Sequence, residues 1–204
     1  MKTGIISRSA WLLGLAGIIV IGLVSVAYYY TRDAIEESEH QAMLQALNSI
    51  IPAGSYDNDL VNDTKPLPAN KQLGLKKPAL IYRARRQGEI VAVAFPVTAP
   101  DGYNGPINLL LAVDRNGRIM GVRVVSHLET PGLGDRIESR RSDWVEQFRG
   151  KSMEDPPSER WKVKKDGGIF DQFSGATITP RIIVKAIHRA LTVINAEPGV
   201  FFND

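Results

Sequence analysis

The residues best suited to chemistry form one short run, Asp171-Gln172-Phe173-Ser174-Gly175-Ala176-Thr177, followed at once by Thr179-Pro180. Thr179-Pro180 is a cap-plus-first-turn pair, so these hydroxyls and small residues stand one step before a helix N-terminus. Unpaired backbone N–H groups and the positive end of the helix dipole favour an anion there, and Gly175 and Ala176 let a bulky group approach the main chain. The chemistry such a place suits is phosphate binding. No Gly-Lys-Ser/Thr follows, which argues against a nucleotide hydrolase. Ser174 does not sit in a Gly-x-Ser-x-Gly elbow, which leaves a serine hydrolase without support. Taken alone, a Ser-Gly-Ala-Thr string is equally a plain helix-start loop.

A second stretch, His127-Leu128-Glu129-Thr130-Pro131-Gly132-Leu133-Gly134, combines a carboxylate with a stiff, glycine-bearing loop. It lacks the third glycine and the βαβ setting of a dinucleotide fingerprint, and its plain reading is a turn into the next helix. A third, Gly102-Tyr103-Asn104-Gly105-Pro106-Ile107, precedes it. The chain has no cysteine, which removes thiolate zinc sites, ordinary iron–sulfur clusters, disulfides and a cysteine nucleophile together. Any redox chemistry must therefore use an organic cofactor. The three histidines, His40, His127 and His188, are scattered, and none is assigned a metal-binding or catalytic role. A net charge of +3 with dispersed basic residues gives no nucleic-acid surface.

Several elements must position these motifs. Valine-, isoleucine- and leucine-rich segments at Ala79–Ala84, Glu89–Thr98, Ile107–Val113 and Ile119–Ser126 read as strands. Gln87-Gly88 joins the first two, and Asp114-Arg115-Asn116-Gly117 joins the last two, its Asn-Gly pair suited to positive backbone angles. An antiparallel sheet follows. Ser142 can cap a short helix over Asp143–Phe148 in which Trp144 and Phe148 share a face, and Trp161–Lys164 is a further strand candidate. After Thr179-Pro180, residues Ile182, Ile183, Ala186, Ile187, Ala190, Leu191 and Ile194 repeat at helical spacing, with Arg181, Lys185, His188 and Arg189 on the wet face. Strands followed by helices without βαβ alternation give an α+β fold.

Upstream, Ala10–Tyr30 is almost wholly apolar and as a helix would extend ~31 Å, enough to cross a bilayer. Lys2 and Arg8 lie before it, whereas Asp33, Glu36, Glu37 and Glu39 follow, a bias that places the N-terminus in the cytoplasm and the following domain outside it. Trp11 and the Tyr28-Tyr29-Tyr30 cluster suit the two interfaces. Ser25-Val26-Ala27 offers a small-x-small cleavage site, so a cleaved signal peptide is the alternative. The apolar run exceeds the roughly 7–15 residues of an ordinary signal core, which favours an uncleaved anchor. Residues 33–51 read as a helix carrying Ile35, Met43, Leu44, Leu47 and Ile51 as an apolar stripe, and 52–78 as a connecting loop. The expected organisation is thus an anchor over 1–31, a juxtamembrane helix and loop over 32–78, and a domain over 79–204.

The pattern Asp171-x-x-Ser174-Gly175-Ala176-Thr177 resembles the covalent flavinylation motif of the FMN-binding domain family, in which a flavin transferase joins the FMN phosphate to the hydroxyl of the final threonine. The resemblance implies that Thr177 carries FMN through a phosphoester bond. It implies that Ser174, Gly175 and Ala176 lie against the cofactor, and that Asp171 belongs to the sequence the transferase reads. Glu129-Thr130-Pro131-Gly132-Leu133-Gly134 is similar to the flavin-lining loop of that family, and Gly102-Tyr103-Asn104-Gly105-Pro106-Ile107 to its Gly-Tyr-x-Gly-x-Ile segment. By this resemblance Glu129, Thr130, Gly132, Leu133, Gly134 and Tyr103 border the ring. The three motifs stand in family order over residues 79–195.

Within the family, the compact chain and the Glu129-Thr130-Pro131-Gly132-Leu133-Gly134 wording resemble the G subunits of Rnf-type ion-translocating electron transport complexes. The C subunits of sodium-translocating NADH:quinone oxidoreductases share the anchor and the motif and are the near alternative. Either implies an electron carrier of the cell inner membrane with a periplasmic domain, working among the other subunits of a translocase and without independent catalytic activity. A non-redox anchored adaptor and a self-sufficient flavin reductase are the competing readings. The first would purify colourless, and the second would transfer electrons without a partner.

Overall fold

The computed structural model describes the backbone of residues 3–203, and the side chains from residue 10 onward except those of Glu36 and Glu39. The charges expected to orient the anchor at Lys2, Arg8, Glu36 and Glu39 thus lie outside the described residues. The chain divides into two compact units, 1–43 and 44–204.

The described part of the first unit is helical, within helix α1 (Thr3–Ile50), which has no break at Thr31 or Arg32. Trp11, Leu13, Ile18, Ile21, Leu23, Tyr29 and Tyr30 are exposed, so the helix is apolar around its whole circumference, as a helix surrounded by lipid is. Tyr29 and Tyr30 meet edge to face at 5.9 Å. Ile35, expected on the juxtamembrane stripe, is also exposed; of that stripe Leu47 and Ile51 are buried, and Ile50, not counted in it, is buried beside them.

The second unit is built on a five-stranded antiparallel sheet in sequential order, β1 (Thr64–Leu67), β2 (Ala79–Arg86), β3 (Glu89–Ala99), β4 (Ile107–Asp114) and β5 (Ile119–Ser126). Four of these strands are the expected ones. The fifth, β1, lies in the segment expected to be a loop; it has four residues, pairs only with β2 and contains Pro66, which an edge position tolerates. The β2–β3 turn carries positive φ at both Gln87 and Gly88. In the β4–β5 turn only Gly117 has one, because the Asp114 carboxylate accepts from the N–H groups of Asn116 and Arg118 and holds a longer turn instead.

The register gives the sheet two distinct faces. Val93, Phe95, Val97 and Ala99 pair with Val113, Leu111, Leu109 and Ile107, and this bulky face packs on α2 (Ile178–Ala196) and α3 (Pro198–Phe202). Phe95 meets Phe201 at 5.0 Å. The other face carries Ala92, Ala94, Ala112 and Gly121. The last turn of α1 lies over it: a Cβ added to Gly121 would fall 2.8 Å from Ile50 Cα. Small side chains there let a helix backbone approach.

Trp161–Lys164 is not a strand. It runs between two 3-10 turns, Ser158–Arg160 and Lys164–Asp166, and makes a single parallel bridge, Val163 to Phe170, because Trp161 is drawn into an aromatic cluster. Phe148 meets Phe170 at 4.8 Å and Trp161 at 6.4 Å, and Trp144 lies 5.3 Å from Phe148 and 5.5 Å from Phe173. Asp143–Phe148 is a 3-10 helix rather than an α-helix, with the Ser142 hydroxyl accepting from Trp144 N–H as its cap.

Candidate functional site

The aromatic cluster sets the course of the 171–177 segment. Trp144 Nε1 donates to the Asp171 carbonyl at 2.7 Å, and Asp171 N–H donates to Gln147 Oε1 at 2.8 Å, while Phe173 is buried against Trp144. Once Phe173 is held, the chain turns sharply. Ala176 N–H donates to the Phe173 carbonyl at 3.2 Å, and Gly175 takes φ +84°, a left-handed conformation that glycine adopts without strain. Helix α2 then begins at Ile178, two residues earlier than the Thr179-Pro180 pair implies, and Thr177 occupies the cap position with helical backbone angles.

Thr179 therefore does not cap the helix. Its side chain is 1% exposed and its hydroxyl donates to the carboxylate of Glu129. Glu129 is itself buried, at 5% exposed, and its other oxygen accepts from Asn104 N–H at 3.3 Å. One carboxylate thus joins three segments distant in sequence. Gly134 is required beside it, since a Cβ there would lie 2.8 Å from Glu129 Oε2 and 2.9 Å from Glu129 Cβ. The loop is closed by Thr130, whose carbonyl accepts from Leu133 and Gly134 N–H, and by the buried Asp135, which accepts from Gly132 N–H at 2.9 Å.

A cavity of about 160 Å³ opens between these segments, lined by Tyr103, Glu129, Thr130, Leu133, Gly134, Gly175, Ala176, Thr177, Ile178 and Thr179. Eight of the ten residues expected at the cofactor thus line one pocket. Ser174 is exposed outside the lining, and Gly132 shapes the loop from behind it. Asp171, expected to be read by a transferase, is exposed and paired with Lys164 Nζ at 2.5 Å. Ile178 and Thr179 complete the lining. The Thr-Pro pair implies a capping role for Thr179, and only the distant Glu129 reveals its other one.

The pocket mouth suits an anion. Among the described residues, no protein acceptor pairs with the N–H groups of Thr177, Ile178 or Thr179, and they sit at the positive end of a 19-residue helix. Thr177 is half-buried there. Asp166 anchors the first turn of α2 by accepting from Arg181 Nε at 2.6 Å and from its Nη2 at 2.9 Å; this pairing holds the Asp166 carboxyl below its usual range. The volume is below the roughly 300–1,000 Å³ of pockets that engulf their ligands, so a flavin held here would keep part of its surface outside.

Two histidines have structural settings. His127 Nδ1 lies 3.1 Å from Glu129 N–H and its Nε2 meets Glu138 at 2.8 Å. Hydrogen bonding from Arg140, and secondarily from His127, pulls the Glu138 carboxyl below its ordinary value. His188 departs from the expected wet face. It stacks on Trp161 at 5.4 Å and 18°, meets the Ser158 hydroxyl at 3.1 Å, and burial lowers its pKa.

Comparison with known proteins agrees with this geometry. The FMN-binding domain family matches residues 102–192, and the RnfG N-terminal region matches residues 1–50. The chain is 50% identical over 190 residues to the G subunit of the ion-translocating oxidoreductase complex of Pseudomonas aeruginosa, covering 93% of this chain and 89% of that one. It is 42% identical over 203 residues to the corresponding G subunit of Shewanella loihica, covering 100% and 95%, and 43% identical to that of Vibrio cholerae, covering 97% and 94%. With an FMN-binding domain behind a single apolar N-terminal helix, and with relatives this similar over nearly their full length, the chain belongs to the family of G subunits of ion-translocating oxidoreductase complexes.

Proposed function

We propose that this protein is a membrane-anchored electron carrier that holds FMN covalently on Thr177 and relays electrons within a Rnf-type ion-translocating oxidoreductase complex. The observation that carries the reading is the single pocket in which the half-buried Thr177 and the free N–H groups of the α2 N-terminus face the Glu129–Gly134 loop and Tyr103. The residues fit the cofactor at both ends. The α2 N-terminus, with its hydroxyl and unpaired amides, would hold the phosphate, and Leu133, Tyr103 and Gly134, a glycine kept small by Glu129, would border the ring.

FMN supplies one- and two-electron chemistry when bound, which lets a fixed carrier couple partners of different electron number. The chain's own part is position. Thr177 tethers and does not catalyse, the α2 N-terminus stabilises the remaining phosphate charge, and the 102–105 and 129–134 loops wall the ring. With the N-terminus in the cytoplasm, the domain lies in the periplasm beyond the cell inner membrane. A covalent bond suits that side, where a flavin lost by dissociation could not readily be replaced from the cytoplasm. A flavin transferase is then a partner in maturation, and the other subunits of the complex are partners in electron transfer.

The test is in-gel flavin fluorescence after denaturing electrophoresis of wild type and Thr177→Ala, each exported and co-expressed with a flavin transferase. Fluorescence in wild type alone is expected. A dark wild-type band beside a fluorescent control substrate would instead favour a non-redox adaptor.

A further inference from the structure

We infer that Thr179 and Glu129 form a positioning clasp beneath the flavin, which excludes Thr179 as an attachment residue, fixes the ring-side loop, and sets a buried negative charge in the pocket wall that disfavours flavin reduction. The inference rests on the reading that FMN is carried on Thr177.

Thr177 and Thr179 are separated by one residue at the same helix end, and composition does not distinguish them. Their surroundings do. Thr177 is half-buried at the pocket, whereas Thr179 is 1% exposed with its hydroxyl donated to Glu129. A group reaching the α2 N-terminus from outside therefore finds the Thr179 hydroxyl already engaged by Glu129.

Among the described residues, Glu129 is the only carboxylate lining the pocket. It is held by two donors aimed at it, the Thr179 hydroxyl on one oxygen and Asn104 N–H on the other, the arrangement a carboxylate, which only accepts, requires. Among those residues no cation pairs with it: its polar partners are the two donors and, through its own N–H, the His127 ring. A buried negative charge of this kind acts through low-dielectric surroundings. It opposes added electron density on a neighbouring ring and so lowers the ring's reduction potential. The same carboxylate packs against Gly134 at distances that leave no room for a Cβ, so releasing it would release the Thr130–Gly134 turn that faces the ring.

The experiment compares wild type, Glu129→Gln, Thr179→Val and Thr179→Ser, all full-length in detergent. Amide hydrogen exchange across residues 129–134 is read in protein made without transferase. Reduction potential and iodide quenching are read on the flavin-bearing fraction. Thr179→Val is expected to raise exchange across 129–134 at least tenfold and quenching severalfold, with Thr179→Ser restoring both towards wild type. Glu129→Gln, of equal size but uncharged, is expected to shift the midpoint potential to more positive values. Exchange in Thr179→Val equal to wild type, failure of Thr179→Ser to restore it, or an unchanged potential in Glu129→Gln would each overturn the clasp. Peptide mapping that finds flavin on Thr179 in any variant retaining Thr179 would overturn the exclusion. A wild type without covalent flavin would instead overturn the underlying function, and the exchange measurement would still decide whether the clasp holds the loop.

Discussion

The sheet and the pocket are stabilised in different ways. In the sheet, four long strands pair with their sequence neighbours, two of the three links being short turns, and Val93, Phe95, Val97, Leu109, Leu111 and Val113 share one buried face. Many similar contacts carry the load, so no single one decides the fold. The pocket is made from segments at 103, 129–134 and 175–179. A few specific features hold it: one buried carboxylate, one glycine without space for a Cβ, and one aromatic cluster. The sheet should therefore resist functional damage while reporting changes as stability, and the pocket should lose function at little cost in stability.

The largest expected effect is functional. Thr177→Ala should abolish covalent flavin while changing unfolding free energy by no more than about 0.5 kcal/mol, the range of substitutions away from packed features, as read by in-gel fluorescence beside urea denaturation. A large loss of stability would break the contrast. On the sheet side, Phe95→Ala removes a fully buried ring that meets Phe201 and should cost about 3–5 kcal/mol, with the fraction that remains folded still accepting flavin. Gly134→Ala tests the boundary between the two regimes: the added methyl must displace Glu129, so a loss of about 1–3 kcal/mol should come with reduced flavin loading.

The smallest effect is a pH dependence. Burial lowers the His188 pKa in the folded protein, so below about 6.5, the ordinary value, the unfolded chain binds the proton first. Stability is then full above that pH and falls as pH drops towards the folded-state value. His188→Phe, which keeps a ring against Trp161, should flatten the thermal midpoint between pH 7.5 and 5.5, values chosen to lie about one unit either side of 6.5. Glu138 shifts with a different consequence, its carboxyl lowered chiefly by Arg140. Its contribution is present above about 4.3 and is lost only as pH falls further, so the two windows can be told apart.

The contrast also explains which elements are legible in the residues alone. Strands β2 to β5 are, because alternation and turn residues are local signals, and a sheet of sequence neighbours uses little else. Strand β1 is not, since four residues with one proline carry no period, and its place comes from pairing with β2. Helix α2 is legible by its repeat, but its start is offset by two residues because a Thr-Pro pair signals a helix start whether or not the hydroxyl has a better partner. Trp161 has the neighbours of a strand residue and belongs instead to a ring cluster whose other members lie up to 27 residues away in sequence.

By itself the sequence determined the apolar anchor, the antiparallel sheet, the absence of thiolate chemistry and the order of three motifs resembling those of FMN-binding domains, because each depends on residue type and short spacing. Only the tertiary structure decided that Glu129, Asn104 and Thr179 meet, and that Thr177 is left half-buried at the pocket while the Thr179 hydroxyl is buried against the carboxylate. Those contacts join positions 25 and 50 residues apart, and a buried carboxylate chooses its donors by where the packed chain delivers them, which no local pattern encodes.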